Sequence, residues 1–171
     1  MKRLTLVRHA KSSWTEVLLS DHDRALAERG VRDAPRMGKR INARKLRPSL
    51  IISSTAVRAM STARAIADAL KYPLEFLQSE KELYLATPDK ILEIACAQED
   101  NFSDLMVVGH NPGMTDLVNQ LLPALCLHNL PTCGVVAIDF DTDAWAKLAE
   151  ANAKLVFYDY PKNPELLLIE D

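Results

Sequence analysis

The sequence predicts an α/β protein: a three-layer α/β/α sandwich around a largely parallel central sheet with an antiparallel edge. Three observations predict it. Short apolar runs of strand length alternate with longer segments of helical period. Cap and turn residues separate the two kinds of segment. After residue 130 the alternation gives way to two apolar runs with only a short helical stretch between them, a pattern suited to antiparallel pairing at a sheet edge.

In chain order, "LTLV", residues 4–7, is the first strand. Residues 31–45, behind Gly30, carry a helical charge-and-apolar pattern; Pro35 fits this helix only in its first turn, because proline has no N–H to donate. "SLIIS", residues 49–53, is the second strand, entered after Pro48. Residues 56–70 form the clearest helix, with Ala59, Met60, Ala63, Ile66, Ala67 and Leu70 on one stripe. "LEFL", residues 74–77, reads as a short third strand. Thr87 and Pro88 supply a cap and an N1 proline for a helix over 88–98. "DLMVVG", residues 104–109, is a buried strand, and a helix follows from Pro112 through Leu117, Leu121 and Leu122. "GVVAIDF" and "AKLVFYDY" are the last two strands, separated by a helical stretch at Ala144–Ala149; the tail "PKNPELLLIED" is partly irregular. With no repeat, low-complexity segment or linker, residues 1–171 are expected to form a single domain.

Composition narrows the function classes. The chain has 171 residues, 48% hydrophobic and 26% charged, with a formal net charge of -2. That balance offers no polybasic field for nucleic acid or anionic lipid. Basic residues do cluster between Arg24 and Arg47, but Glu28 and Asp33 interrupt them, as on a solvated helix face. No apolar segment approaches the roughly 20 residues that cross a bilayer. The start "MKRLTLVRHA" is basic, but Arg8 and His9 break its apolar run too early for a signal peptide, so a cytoplasmic protein is expected. Cys96, Cys126 and Cys133 are odd in number and lack metal-ligand spacing; reduced, mostly buried thiols are expected.

In open α/β sheets, ligands bind beyond the carboxyl ends of the strands. Arg8 and His9 follow the first strand. "SSTAVRAMSTA" follows the second and puts Arg58 in the first turn of a helix, while "HNPG" follows "DLMVVG" and supplies His110. Adjacent residues of a regular strand point to opposite faces, so Arg8 and His9 share a site only where the strand ends, and the small Ala10 permits close approach there. Two arginines and two histidines at one edge suit a phosphoryl group. Guanidinium presents paired donors and a fixed charge, and helix N-termini near Ser54–Ala56 and Pro112–Gly113 add N–H groups. A histidine among cations resists protonation, keeps a lone pair and serves as a nucleophile.

"LVRHAKSS", "SSTAVRAMSTA" and "VVGHNPG" resemble the three signatures of the histidine phosphatase superfamily, the phosphoglycerate-mutase-like fold. "DHDRALAERG" also resembles the stretch that leads into that family's first helix. Alanine at residue 10 in place of the family's glycine, Lys11–Ser12 after it, and the short chain resemble the SixA-type phosphohistidine phosphatase branch. The resemblance spans residues 3–114, with weaker agreement in "NLPTCGVVAIDF". It implies that His9 is the transiently phosphorylated nucleophile, that Arg8, Arg58 and His110 hold the phosphoryl oxygens, and that no metal or other cofactor is needed. Family members often place an acid after the third strand; of Glu80 and Glu82, Glu82 fits better as proton donor. Ser12 is a further phosphate-binding candidate. Arg24 is expected in a surface ion pair, and His22 and His128 as surface or loop histidines. Trp14 is expected in the core or in the pocket wall.

Three readings follow. The first is a phosphatase acting through a phosphohistidine intermediate on phosphohistidine in a protein such as a phosphotransfer domain. The second is a small-molecule phosphomonoesterase for sugar or nucleotide phosphates on the same fold. The third is a non-catalytic phosphate- or phosphoprotein-binding module, which would not need the nucleophile. Between Arg58 and His110 the chain has room for helix, strand and helix but hardly for a lid domain, so an open site and a protein-borne phosphate are expected.

Overall fold

The computed structural model describes residues 1–164; the end of the tail, 165–171, lies outside them. Six strands form one sheet: β1 (Lys2–Arg8), β2 (Leu50–Ser54), β3 (Gln78–Glu80), β4 (Asp104–Gly109), β5 (Val135–Phe140) and β6 (Ala153–Asp159). Their spatial order is β3-β2-β4-β1-β5-β6. β1 through β4 run parallel, β5 is antiparallel to β1, and β6 is antiparallel to β5. This is the expected α/β sheet with an antiparallel edge.

Alternation along the strands sends side chains to two faces. Leu4, Leu6, Ile52, Leu105, Val107 and Val136 pack towards α3 (Pro88–Cys96) and α4 (Gly113–Leu121). Val7, Ile51, Met106, Val108 and Val135 pack towards α1 (Glu28–Ala43) and α2 (Val57–Ala69). Both faces are buried, so the inner strands read as unbroken apolar runs. Trp145 and Leu148, buried in a 3-10 stretch at Trp145–Glu150, close the α3 side. Among the described residues, no helix is long and apolar enough to cross a membrane.

Two elements depart from expectation. "LEFL" is not a strand: Leu74–Phe76 is a 3-10 turn behind Pro73, and the third strand is the next segment, "QSE". β3 is an edge strand paired to β2 alone, so backbone pairing at Ile52–Gln78 defines it without apolar side chains. Pro35 sits inside α1 rather than in its first turn, because the helix begins at Glu28. The carbonyl deprived of a donor belongs to Val31, an exposed residue, where a missing backbone bond costs less than in the core. The cysteines are free as expected, but only Cys133 is fully buried; Cys126 is exposed.

Candidate active site

β1 ends at Arg8 and leaves His9 just beyond the regular strand, where its backbone N–H still reaches the carbonyl of Gly109. The chain then presses against its neighbours. Ala10 donates its N–H to Thr62 Oγ1 on α2, and a Cβ on Gly30 would meet the Lys11 carbonyl oxygen at 2.2 Å, so α1 can start there only with glycine. Arg58 lies in the first turn of α2, and His110 follows β4 directly. The strand ends thus bring Arg8, His9, Arg58 and His110 around one cavity of about 160 Å³, which Ser12 and Arg24 also line.

The imidazole of His9 is fixed by a 2.8 Å contact between Nδ1 and the Ala10 carbonyl oxygen. A carbonyl only accepts, so Nδ1 carries the proton and Nε2 keeps the lone pair. The His110 ring centroid lies 5.2 Å from that of His9, and its Nε2 is 2.7 Å from Ser54 Oγ. Burial lowers the His9 pKa to about 4; the charges of Arg58, Arg8 and Arg24 act in the same sense, while the Ala10 carbonyl opposes them. Burial lowers His110 to about 3, helped by His9 and Arg58. Both rings are neutral at pH 7.

The cations are positioned by donors spent on protein. Arg8 Nη1 donates to the Leu130 carbonyl at 2.9 Å. Arg24 Nη2 donates to Ser12 Oγ at 2.7 Å, and the guanidinium lies 3.3 Å from the centre of the Trp14 ring. Arg58 Nη2 donates to Asp21 Oδ2 at 3.0 Å, and Tyr84 donates its hydroxyl proton to the same oxygen. Other donors remain: Arg8 Nε, Arg24 Nη1 and Arg58 Nε are buried without a hydrogen-bond partner, as is His110 Nδ1. Buried guanidinium donors left over at one cavity are matched by an oxyanion.

Glu82 is not brought to this cavity. Its side chain is 57% exposed and lies 4.0 Å from Lys90. Ser12 is at the cavity, buried beneath Arg24. Arg24 does form an ion pair, 3.3 Å from Asp21, but it is buried and lines the cavity rather than lying on the surface. Trp14 is a wall residue, not a core one. His22 packs edge-on against Tyr84 and meets Thr55 Oγ1 at 2.9 Å; His128 is exposed. Sequence reasoning missed Asp21, Ser54 and Tyr84 as positioning residues. Asp21 and Arg24 stand together in "DHDRALAERG", the one signal that pointed to them; Ser54 was marked only as part of "SSTAVRAMSTA" and its helix N-terminus, not as a partner of His110, and nothing marked Tyr84.

Residues 4–105 match the model of the histidine phosphatase superfamily (branch 1), and the chain belongs to that family. A structure from Agrobacterium tumefaciens assigned to SixA superposes with a TM-score of 0.80 at 29% identity, covering 94% of this chain and 98% of that one. A SixA complex with tungstate gives a TM-score of 0.77 over 93% of this chain, and at 18% identity that likeness shows the fold alone. An uncharacterised protein of Mycobacterium tuberculosis is 31% identical over 166 residues, 91% of this chain and its own entire length. The chain is therefore a phosphatase of the SixA-type branch.

Proposed function

We propose that this phosphatase removes the phosphoryl group from phosphohistidine in a protein, through a phosphorylated His9 and without a metal ion. The observation that carries the reading is the Nδ1–H of His9 held on the Ala10 carbonyl, which leaves Nε2 as a neutral nucleophile at a cavity ringed by Arg8, Arg24 and Arg58. In the first step Nε2 attacks phosphorus as the substrate's P–N bond breaks, and the bonding pair returns to the substrate nitrogen. An imidazole protonated on its far nitrogen leaves as a neutral ring, so no strong acid is needed. Phospho-His9 has the same form, its Nδ1–H still on Ala10. Water attacks it, the P–N bond breaks, His9 leaves neutral, and inorganic phosphate takes up the water's proton. Arg8, Arg58 and the His110 Nδ1 side of the cavity meet the charge on the transferring oxygens.

The choice of an N–P over an O–P substrate is supported by Glu82, which faces Lys90 and solvent; an alkoxide leaving group would need such an acid close by. The likeness to the Agrobacterium structure supports it too. Incubation with a labelled phosphodonor and rapid quenching is expected to leave an acid-labile, alkali-stable phosphate on the wild-type protein and none on His9→Ala. Turnover should fall by at least about 10⁴-fold in that variant, as for other lost nucleophiles. A wild-type protein that hydrolyses substrate without ever carrying the label would refute the intermediate.

A further inference from the structure

The cavity at His9 measures about 160 Å³, so a substrate much larger than its phosphoryl group must also rest on the rim. The rim has two unlike flanks. On one stands an apolar ridge in the loop after β1: Trp14 is 70% exposed, Val17 88% and Leu18 97%, with Leu19 beside them. Trp14 lines the cavity, and Val17, Leu18 and Leu19 follow it within five residues of the same loop. A single exposed apolar residue is ordinary, but a run of them in a loop that reaches a functional cavity marks a contact surface. The ridge is tied to the site, because Trp14 stacks on Arg24 and Arg24 donates to Ser12.

On the other flank a hollow of about 370 Å³ shares Arg8, Lys11 and Thr132 with the cavity and adds Arg29 and Lys162. Among the described residues that line it the one carboxylate is Asp33, already engaged by Arg29 at 3.9 Å and by Arg32 at 3.8 Å. The hollow is therefore cationic and suits an acidic group.

We propose that ridge and hollow together form the docking surface for a folded protein that carries the phosphohistidine, with apolar side chains on one side of it and an acidic side chain on the other. A small phosphomonoester would fill the cavity and leave the ridge in water; a protein domain covers both flanks at once. The inference rests on the phosphohistidine reading above.

Two probes with the same N–P bond separate docking from chemistry: N-phosphoimidazole, and a folded phosphotransfer domain phosphorylated on its exposed histidine. In Val17→Ser/Leu18→Ser, and separately in Lys162→Glu, kcat/KM on the domain is expected to fall about tenfold or more, chiefly through KM, while N-phosphoimidazole turnover stays within about twofold of wild type. Variants that match wild type on the domain would overturn the docking surface, as would variants that lose both substrates equally. A wild-type enzyme active on N-phosphoimidazole but not on the domain also overturns the docking surface and leaves the intermediate standing. Inactivity on both probes removes the phosphohistidine reading itself.

Discussion

Arg3 stands near the start of β1 and Arg8 at its end, and the two are treated in opposite ways. Arg3 is flanked in register by Asp104 on β4 and Asp139 on β5. It spends Nε and Nη2 on Asp139 at 2.6 and 2.8 Å, while Lys2 donates to the Phe102 carbonyl. Charge there is neutralised between neighbouring strands. At the other end Arg8, Arg24 and Arg58 converge, Asp21 pairs with two of them, and donors on all three are left over. The same sheet thus has one end whose charges are paired with each other and one whose cations keep unpaired donors, which the proposed function assigns to an anion. Convergent cations cost stability, and that cost is recovered only when an oxyanion enters.

The contrast is broken most sharply at Arg58. Arg58→Ala should lower kcat by about 10²–10³, the loss seen when one preorganised donor to transition-state charge is removed. Steady-state kinetics on N-phosphoimidazole measures it; an unchanged kcat would mean the arginine only anchors Asp21.

Acid should distinguish the two ends next. His9 and His110 have folded-state pKa values of about 4 and about 3, below the ordinary histidine value of 6.5. The unfolded chain therefore takes up protons first as pH falls. Their contribution to stability is complete above about pH 6.5 and is lost towards pH 4, on the order of 3 kcal/mol for each ring. Denaturant midpoints across that range should flatten in His9→Gln/His110→Gln. Tungstate or phosphate should restore stability to the wild type by favouring the protonated rings.

Much of this was legible in the sequence, and the reason lies in which residues carry their own context. Buried parallel strands must be apolar throughout, so β1, β2 and β4 were visible, and the residues that end them, Arg8, His9 and His110, came with them. Arg58 came with the strongest helical stripe. β3 was displaced to "QSE" because an edge strand is defined by its neighbour's backbone, which no side-chain pattern encodes. Arg24, Asp21 and Tyr84 lie in loops and turns brought together only by folding, so their roles depended on contacts across the chain such as Tyr84 to Asp21. Glu82 was chosen by its distance after a strand; the 3-10 turn at Lys81–Leu83 buries Leu83 instead and leaves Glu82 outside.

The end with paired charges offers a smaller effect of opposite sign. Asp104 is pushed up to about 6 by burial, against the opposing charge of Arg3, whose donors go to Asp139 instead. A raised carboxyl pKa means stability that is present below about pH 4 and lost as pH rises through 6. Asp104→Asn should therefore stabilise the protein at pH 7 by about 2 kcal/mol and leave kcat untouched. A destabilised Asn variant would show that the charge of Asp104 is needed by Arg3.

Arg3→Met should have the smallest effect, a loss of about 1 kcal/mol, because the Arg3–Asp139 pair is bidentate but part-exposed. The variant leaves Asp104 and Asp139 facing each other without a cation, so the loss should be larger at pH 7 than at pH 5, where Asp104 takes a proton. In an Asp104→Asn background that pH dependence should vanish while the pairing loss to Asp139 remains. Denaturant titrations of the two single variants and the double variant at both pH values separate the terms. If the loss at pH 7 persists undiminished in the double variant, the repulsion does not come from Asp104, and the neutralised end is held by the Arg3–Asp139 pair alone.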